Sequence, residues 1–216
     1  KMRYTVRRIK TQTAIESCER AGINEVQWNG RLQPEAWAYM GYLEGKGLFV
    51  RMACGETNPC RVQVYHKGPV WKDSALELFL AFPVSEDGRE GELTNESLYL
   101  NFEINANAAM YAQYGFGRRN REFIPDRVYR ESRCNAVIGR DGWRVDFLIP
   151  DWYLEEVTGK KTEDWLAADG NRPMYCNFYK ISESPEIEHY MSYSRIESGT
   201  PDFHLPVYFA EAGFEK

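Results

Sequence analysis

The stretch Leu98-Tyr99-Leu100-Asn101-Phe102-Glu103-Ile104-Asn105-Ala106-Asn107 alternates without a break. Leu98, Leu100, Phe102, Ile104 and Ala106 share one side; Tyr99, Asn101, Glu103, Asn105 and Asn107 share the other. Successive side chains of a strand point to opposite faces, so this period of two predicts a strand with an apolar face and a polar face. Ala75-Leu76-Glu77-Leu78-Phe79-Leu80-Ala81-Phe82 repeats the pattern, with Leu76, Leu78, Leu80 and Phe82 together and Glu77 on the opposite side. If the two strands are neighbours, Glu77 and Glu103 could face one cavity.

The same reading extends in both directions. Residues 48–53 and 143–149 alternate, and residues 174–181 and 206–210 read as further strands. Arg140-Asp141-Gly142 before Trp143 is a hairpin signal. Helix signals are few. Pro34-Glu35-Ala36-Trp37-Ala38 predicts a helical turn, and Pro150-Asp151-Trp152-Tyr153-Leu154-Glu155-Glu156-Val157 predicts a short helix closed near Gly159. Neither a repeat nor a linker divides the chain, so residues 1–216 are expected to form one all-β domain, an antiparallel sandwich or barrel.

Composition narrows the function classes. With 27 basic and 32 acidic residues the net charge is −5, which argues against a nucleic-acid partner. Apolar runs fall short of the ~18–20 residues of a helical span, so no membrane span is expected. The first residues, Lys1-Met2-Arg3-Tyr4-Thr5-Val6-Arg7-Arg8, lead into no apolar region, so no signal peptide is expected; a cytoplasmic and a periplasmic home both fit. Aromatic residues make up 14% of the chain, a share that suits sheets and the stacking of flat ligands.

Phosphate-loop, zinc-protease, nucleophile-elbow and calcium-loop motifs are missing. His66, His189 and His204 are far apart in sequence and suggest loop hydrogen bonding more than a metal site. Of the five cysteines, Cys54 and Cys60 bracket a turn-rich stretch; reduced thiols are expected there, with a hairpin disulfide as the alternative. Arg118-Arg119-Asn120-Arg121 reads as a solvated basic loop, with anion binding as its alternative. Glu77 and Glu103 lie on the polar faces of their strands, where they could serve as paired acids of a glycoside-active enzyme or as hydroxyl acceptors. Trp71, after Gly68-Pro69-Val70, fits display at the rim of a sheet or burial in the core equally well.

At Trp71 the sequence resembles a known family. Gly68-Pro69-Val70-Trp71-Lys72-Asp73-Ser74-Ala75-Leu76-Glu77-Leu78-Phe79 is similar to the Trp-x-Asp-Ser-x-Val-Glu-x-Phe stretch of family 9 carbohydrate-binding modules and their relatives in Bacteroides-type bacteria. Tyr99-Leu100-Asn101-Phe102-Glu103-Ile104-Asn105 resembles the family's Tyr-x-Asn-Phe-Glu-x-Asn strand. Gly142-Trp143 through Ile149-Pro150, Asn177-Phe178-Tyr179-Lys180 and Pro201-Asp202-Phe203-His204-Leu205-Pro206 continue the match in order. The resemblance covers about residues 48–210.

The resemblance implies a jelly-roll-like β-sandwich with one or two short helices. It implies non-catalytic binding of a poly- or oligosaccharide, and association with glycoside hydrolases. No cofactor is expected, although some members hold structural calcium. Trp71 matches one ring of an aromatic clamp and Glu77 a hydroxyl-binding acid; Tyr193 is the best match to the second ring, which the family supplies as Trp. Glu103 stands on the strand where cellulose-binding members place an arginine donor, and Arg121 or Lys180 are candidate cations to pair with it. Alternation alone adds Asn101, Glu103 and Asn105 to the candidate face. A sandwich that binds another protein and no sugar remains a further alternative.

Overall fold

The computed structural model describes residues 2–171 and 173–216. Its strands are β1 (Arg3–Thr5), β2 (Arg7–Ile9), β3 (Ala21–Gly22), β4 (Glu25–Gln27), β5 (Ala36–Leu43), β6 (Gly47–Cys54), β7 (Ala75–Phe82), β8 (Leu98–Asn105), β9 (Met110–Phe116), β10 (Glu122–Phe123), β11 (Asn135–Ile138), β12 (Trp143–Pro150), β13 (Met174–Ser182), β14 (His189–Ser192) and β15 (Ala210–Gly213). Among the described residues they form two sheets. One runs β1-β15-β13-β7-β8-β9-β10, with β14 and β4 continuing from β13; the other runs β11-β12-β6-β5-β2, with β3 beside β5.

The apolar faces read from the sequence meet between the sheets. Leu76, Leu78 and Leu80 of β7 and Leu100, Phe102 and Ile104 of β8 pack against Val50, Met52, Val145 and Phe147 of the facing sheet. The opposite face of β7, β8 and β13 is not left to solvent. Residues 193–209 fold across it, and Phe79, Tyr99 and Tyr179 join Ile196, Phe203 and Phe209 in a second apolar cluster. All eight residues of β7 and all eight of β8 are therefore buried. A sheet covered on both faces can carry polar residues in its interior only where they find partners.

Several local expectations are corrected. Residues 34–38 do not form a helical turn; Ala36 begins the eight-residue strand β5. Its Trp37 and Tyr39 pack with Ile15 and Phe49 outside the second sheet, so both faces of β5 are apolar and the polarity signal of a strand is lost. Residues 206–210 open with a 3-10 turn, Pro206–Tyr208, before β15. The pairing is mostly antiparallel, but β1 runs parallel to β15 and β2 parallel to β5, because the N-terminal segment passes from one sheet to the other. The helices are α1 (Asp126–Ser132), α2 (Asp151–Thr158) and α3 (Thr162–Trp165). The expected helix at 150–157 is α2, and Gly159 closes it in the left-handed conformation, φ 80°. Cys54 and Cys60 are free thiols. Among the described residues, no helix is long and apolar enough to cross a membrane.

Candidate functional site

Strand register builds the site. Tyr179 of β13, Glu77 of β7, Glu103 of β8 and Tyr111 of β9 are successive cross-strand partners. They form one row across the outer face of the first sheet. Phe79, Asn101 and Gln113 form the next row. Where residues 193–209 stop covering this face, a pocket of about 380 Å³ opens, with Glu77, Glu103, Gln113 and Arg121 among its lining residues.

Aromatic rings surround this polar floor. Trp71 sits in a 3-10 turn, Val70–Lys72, and its carbonyl accepts a hydrogen bond from Glu183 N at 2.9 Å. Its ring stands edge-on to Tyr111 at 4.9 Å, so Trp71 lines the pocket, half-buried, and is not part of the inter-sheet core. Trp28 also lines the pocket. It has φ 49°, an unfavourable conformation for so large a residue. Its indole N–H donates to Ser198 O at 2.8 Å, and its ring packs beside Tyr190 and Phe203. Phe203 stacks on Tyr179 at 4.1 Å and 16°. His204 Nδ1 lies 2.9 Å from Tyr99 Oη, and burial holds this imidazole well below its ordinary pKa, so it is neutral. These contacts fasten residues 201–204 over the sheet.

The polar floor is tightly coupled. Glu77 and Glu103 are only 2% and 4% exposed. Asn101 Nδ2 donates to Glu103 Oε2 at 2.7 Å, while Asn101 Oδ1 accepts from Arg121 Nη2 at 2.7 Å. The Arg121 guanidinium lies over the Tyr99 ring, 3.5 Å from its centroid, and Nη1 donates to Gly117 O. Burial raises the pKa of Glu103 to about 7, against the pull of Asn101 and Arg121. Burial, and then the adjacent Glu103 charge, push Glu77 well above the usual carboxylate range. Burial lowers Arg121 to about 10, so it stays charged at neutral pH. With both acids ionised, Glu77 Oε2 has no donor. The two acids oppose each other on adjacent strands, and burial, with the Glu103 charge added at Glu77, favours the protonated form of the pair. Arg121 Nε is likewise buried without an acceptor.

A family model for carbohydrate-binding family 9 matches residues 13–214. The chain belongs to carbohydrate-binding family 9. Its fold agrees. A Bacteroides uniformis protein, provisionally described as carbohydrate-binding, superposes with a TM-score of 0.80 at 20% identity, over 99% of both chains. A family 9 module from Caldicellulosiruptor kristjanssonii, solved with cellotriose, superposes with a TM-score of 0.59 at 12% identity, over 99% of this chain and 92% of that one. No curated protein sequence gives a significant match.

Within this family 9 chain, three of the sequence-derived candidates come together at the pocket: Trp71, Glu77 and Glu103. Asn101 lies beneath them, holding Glu103 and Arg121. Asn105 shares their face but lies outside the pocket: its Nδ2 donates to Gln63 O at 2.8 Å and Asp73 Oδ2 at 2.9 Å, tying loops together. Tyr193 is placed between the sheets, edge-on to Phe178 and Tyr4 at 5.8 and 6.2 Å. Alternation sends Met191 and Tyr193 inward, and the pocket receives Tyr190 instead. Lys180 does not reach Glu103 either. It points into the sandwich, with Nζ 2.8 Å from His189 Nε2 and 3.3 Å from Glu56 Oε1. Of the expected solvated loop, Arg118 and Arg121 turn to the pocket, and Arg118 pairs with Asp202 at 3.2 Å. Trp28, Tyr111 and Phe203 were not legible as site residues, since none stands in a strand with a marked polar face. Among the described residues, no group of three or more His, Cys, Asp or Glu side chains could hold a metal ion.

Proposed function

We propose that the pocket binds a neutral saccharide without cleaving it. The observation that carries this reading is the union, in one open pocket, of large half-buried aromatic rings with a floor of buried carboxyl, amide and guanidinium groups. A sugar ring has an apolar C–H face and a polar edge. Trp71 and Trp28 offer apolar planes for the face, and Glu77, Glu103, Gln113 and Arg121 offer hydrogen-bonding groups for the edge. Membership of family 9 supports the same reading. Tyr190 and Phe203, packed beside Trp28, take the place in this reading that Tyr193 cannot fill. The module then acts beside glycoside hydrolases, as a holder of their saccharide.

The geometry disfavours glycoside cleavage by Glu77 and Glu103. The acids of a glycosidase flank the bond, about 5–5.5 Å apart in retaining and about 6.5–9.5 Å apart in inverting enzymes. Here the two acids are direct cross-strand partners, side by side on one face of the sheet, and do not flank a bond from opposite sides.

The test is calorimetric titration of mono- and oligosaccharides into the wild type and Trp71→Ala, with reducing-sugar release followed in parallel. Saturable binding that the substitution abolishes, without sugar release, supports the reading. A well-folded wild type that binds none of a broad panel overturns it.

A further inference from the structure

Arg118-Arg119-Asn120-Arg121 sets three arginines close together in a chain whose net charge is −5. The saccharide-binding reading uses Arg121 alone. Gly117 at φ 67° and Asn120 at φ 55° take the left-handed conformation that turns the chain here. Arg121 Nη1 closes the turn by donating to Gly117 O at 3.0 Å. Arg118 lines the pocket with its side chain 58% exposed, and Arg119 beside it is exposed too.

The protein makes little use of the Arg118 guanidinium. Among the described residues its one ion pair is with Asp202, 3.2 Å away, and its side chain makes no hydrogen bond. A guanidinium presents a planar fork of donors that fits a carboxylate. Asp202 shows that a carboxylate can sit at this rim, and its Oδ1 also accepts from His204 N at 2.9 Å. Arg118 therefore keeps donors free for a second carboxylate. The imidazole nearby adds no charge, since burial, and then Arg118, hold His204 well below its ordinary pKa. The pocket floor is a poorer place for an anion. There it would meet the buried acids Glu77 and Glu103, and the terminal nitrogens of Arg121 are spent on Gly117 O, Tyr99 O and Asn101 Oδ1.

We propose that Arg118 recognises a carboxylate carried by the saccharide: the ring stacked on Trp71 is neutral, and the sugar linked to it is a uronic acid. This deepens the saccharide-binding reading and rests on it. It names the ligand class as an acidic glycan and makes Arg118 a specificity-determining residue. Because Arg118 is largely exposed, salt should weaken the preference.

The probes are glucuronosyl-xylose, glucuronosyl-glucose and rhamnosyl-galacturonic acid, each beside its carboxyl-reduced, neutral counterpart. They are titrated by calorimetry at neutral pH into the wild type, Arg118→Met and Asp202→Asn, with circular dichroism and thermal melts checking the fold. The readout is the ratio of acidic to neutral affinity within each protein. The wild type should prefer at least one acidic member about tenfold, the effect of one charge-assisted pair. Arg118→Met should lower that ratio to one or below. Asp202→Asn, which frees Arg118 of its internal partner, should raise it. Should Arg118→Met not fold, the wild-type ratio and Asp202→Asn still decide. Neutral members that bind as well as the acidic ones, or a preference that survives in Arg118→Met, overturn this assignment and leave saccharide binding intact. Failure of every acidic and neutral sugar to bind removes both.

Discussion

Glu77 and Glu103 stand opposite each other on β7 and β8, both buried, and burial raises the pKa of both carboxyls above the ordinary range. Their protonation couples the pocket to stability. The folded-state pKa of Glu103, about 7, lies above its ordinary value of 4.5, and that of Glu77 lies well above it too. Between pH 4.5 and 7 the folded chain therefore binds more protons at this pair than the unfolded chain does. The pair's contribution to stability is fully present below about pH 4.5 and is lost as pH rises through the folded values. The slope is at most about 1.4 kcal/mol per pH unit for each proton. Glu77→Gln keeps a neutral group and removes one titration. Denaturant melts of wild type and variant between pH 4.5 and 8.5 should show the variant gaining in relative stability as pH rises. A constant difference would contradict the raised carboxyl pKa values.

Trp71 and Tyr193 should separate binding from folding. Trp71 is half-buried at the pocket, whereas Tyr193 is 8% exposed in the inter-sheet core. Trp71→Ala should weaken saccharide binding about 10- to 100-fold, the ~1.5–3 kcal/mol of one lost aromatic surface, with little change in Tm. Tyr193→Ala should cost about 3–5 kcal/mol of stability, as large-to-small core substitutions do. The folded fraction of Tyr193→Ala should still bind with nearly wild-type affinity. Calorimetric binding paired with thermal melts distinguishes the two.

Alternation made the central strands legible. β7 was read at its observed bounds, 75–82, and β8 to within two residues, since Leu and Phe alternate there with polar or small residues. The same alternation placed Glu77 and Glu103 on one face. It could not show that residues 193–209 fold back over that face, because nothing local to a strand reports what covers it. Trp28 and Arg121 reach the pocket from segments distant in sequence, so their roles depend on tertiary packing alone. Tyr193 was misplaced for a simpler reason. In a segment of alternating faces an error of one residue exchanges inside for outside, and Tyr190 lies an odd number of positions away.

The buried Lys180 should behave as a structural cation. It is 0% exposed and pairs with Glu56 at 3.3 Å, while Glu56 also accepts from Trp143 Nε1 and Ser74 Oγ. Lys180→Met leaves the Glu56 carboxylate buried without its cation, at a cost of about 3–5 kcal/mol. Glu56→Gln in the same chain removes that charge and should recover part of the loss. Urea melts of the two single variants and the double variant measure the coupling. Additive losses would mean that the pair contributes nothing beyond its separate hydrogen bonds.

Asn101 touches no part of the pocket surface, yet it should govern the pocket's charge. Its amide nitrogen donates to Glu103 and its amide oxygen accepts from Arg121, so one side chain orients both. The hydrogen bond from Asn101 lowers the Glu103 pKa, opposing the larger upward effect of burial. Asn101→Ala removes that donor while leaving the burial nearly unchanged. The Glu103 carboxyl should then titrate above its present value of about 7, and Arg121 should lose an anchor for its fixed position over Tyr99. Carbon-13 NMR titration of the glutamate carboxyls reads the first effect directly. Saccharide affinity reads the second and should fall about 10- to 100-fold, in proportion to one charge-assisted hydrogen bond of about 1.5–3 kcal/mol. A merely structural Asn101 would lower Tm without moving the Glu103 titration, and that result would remove it from the site.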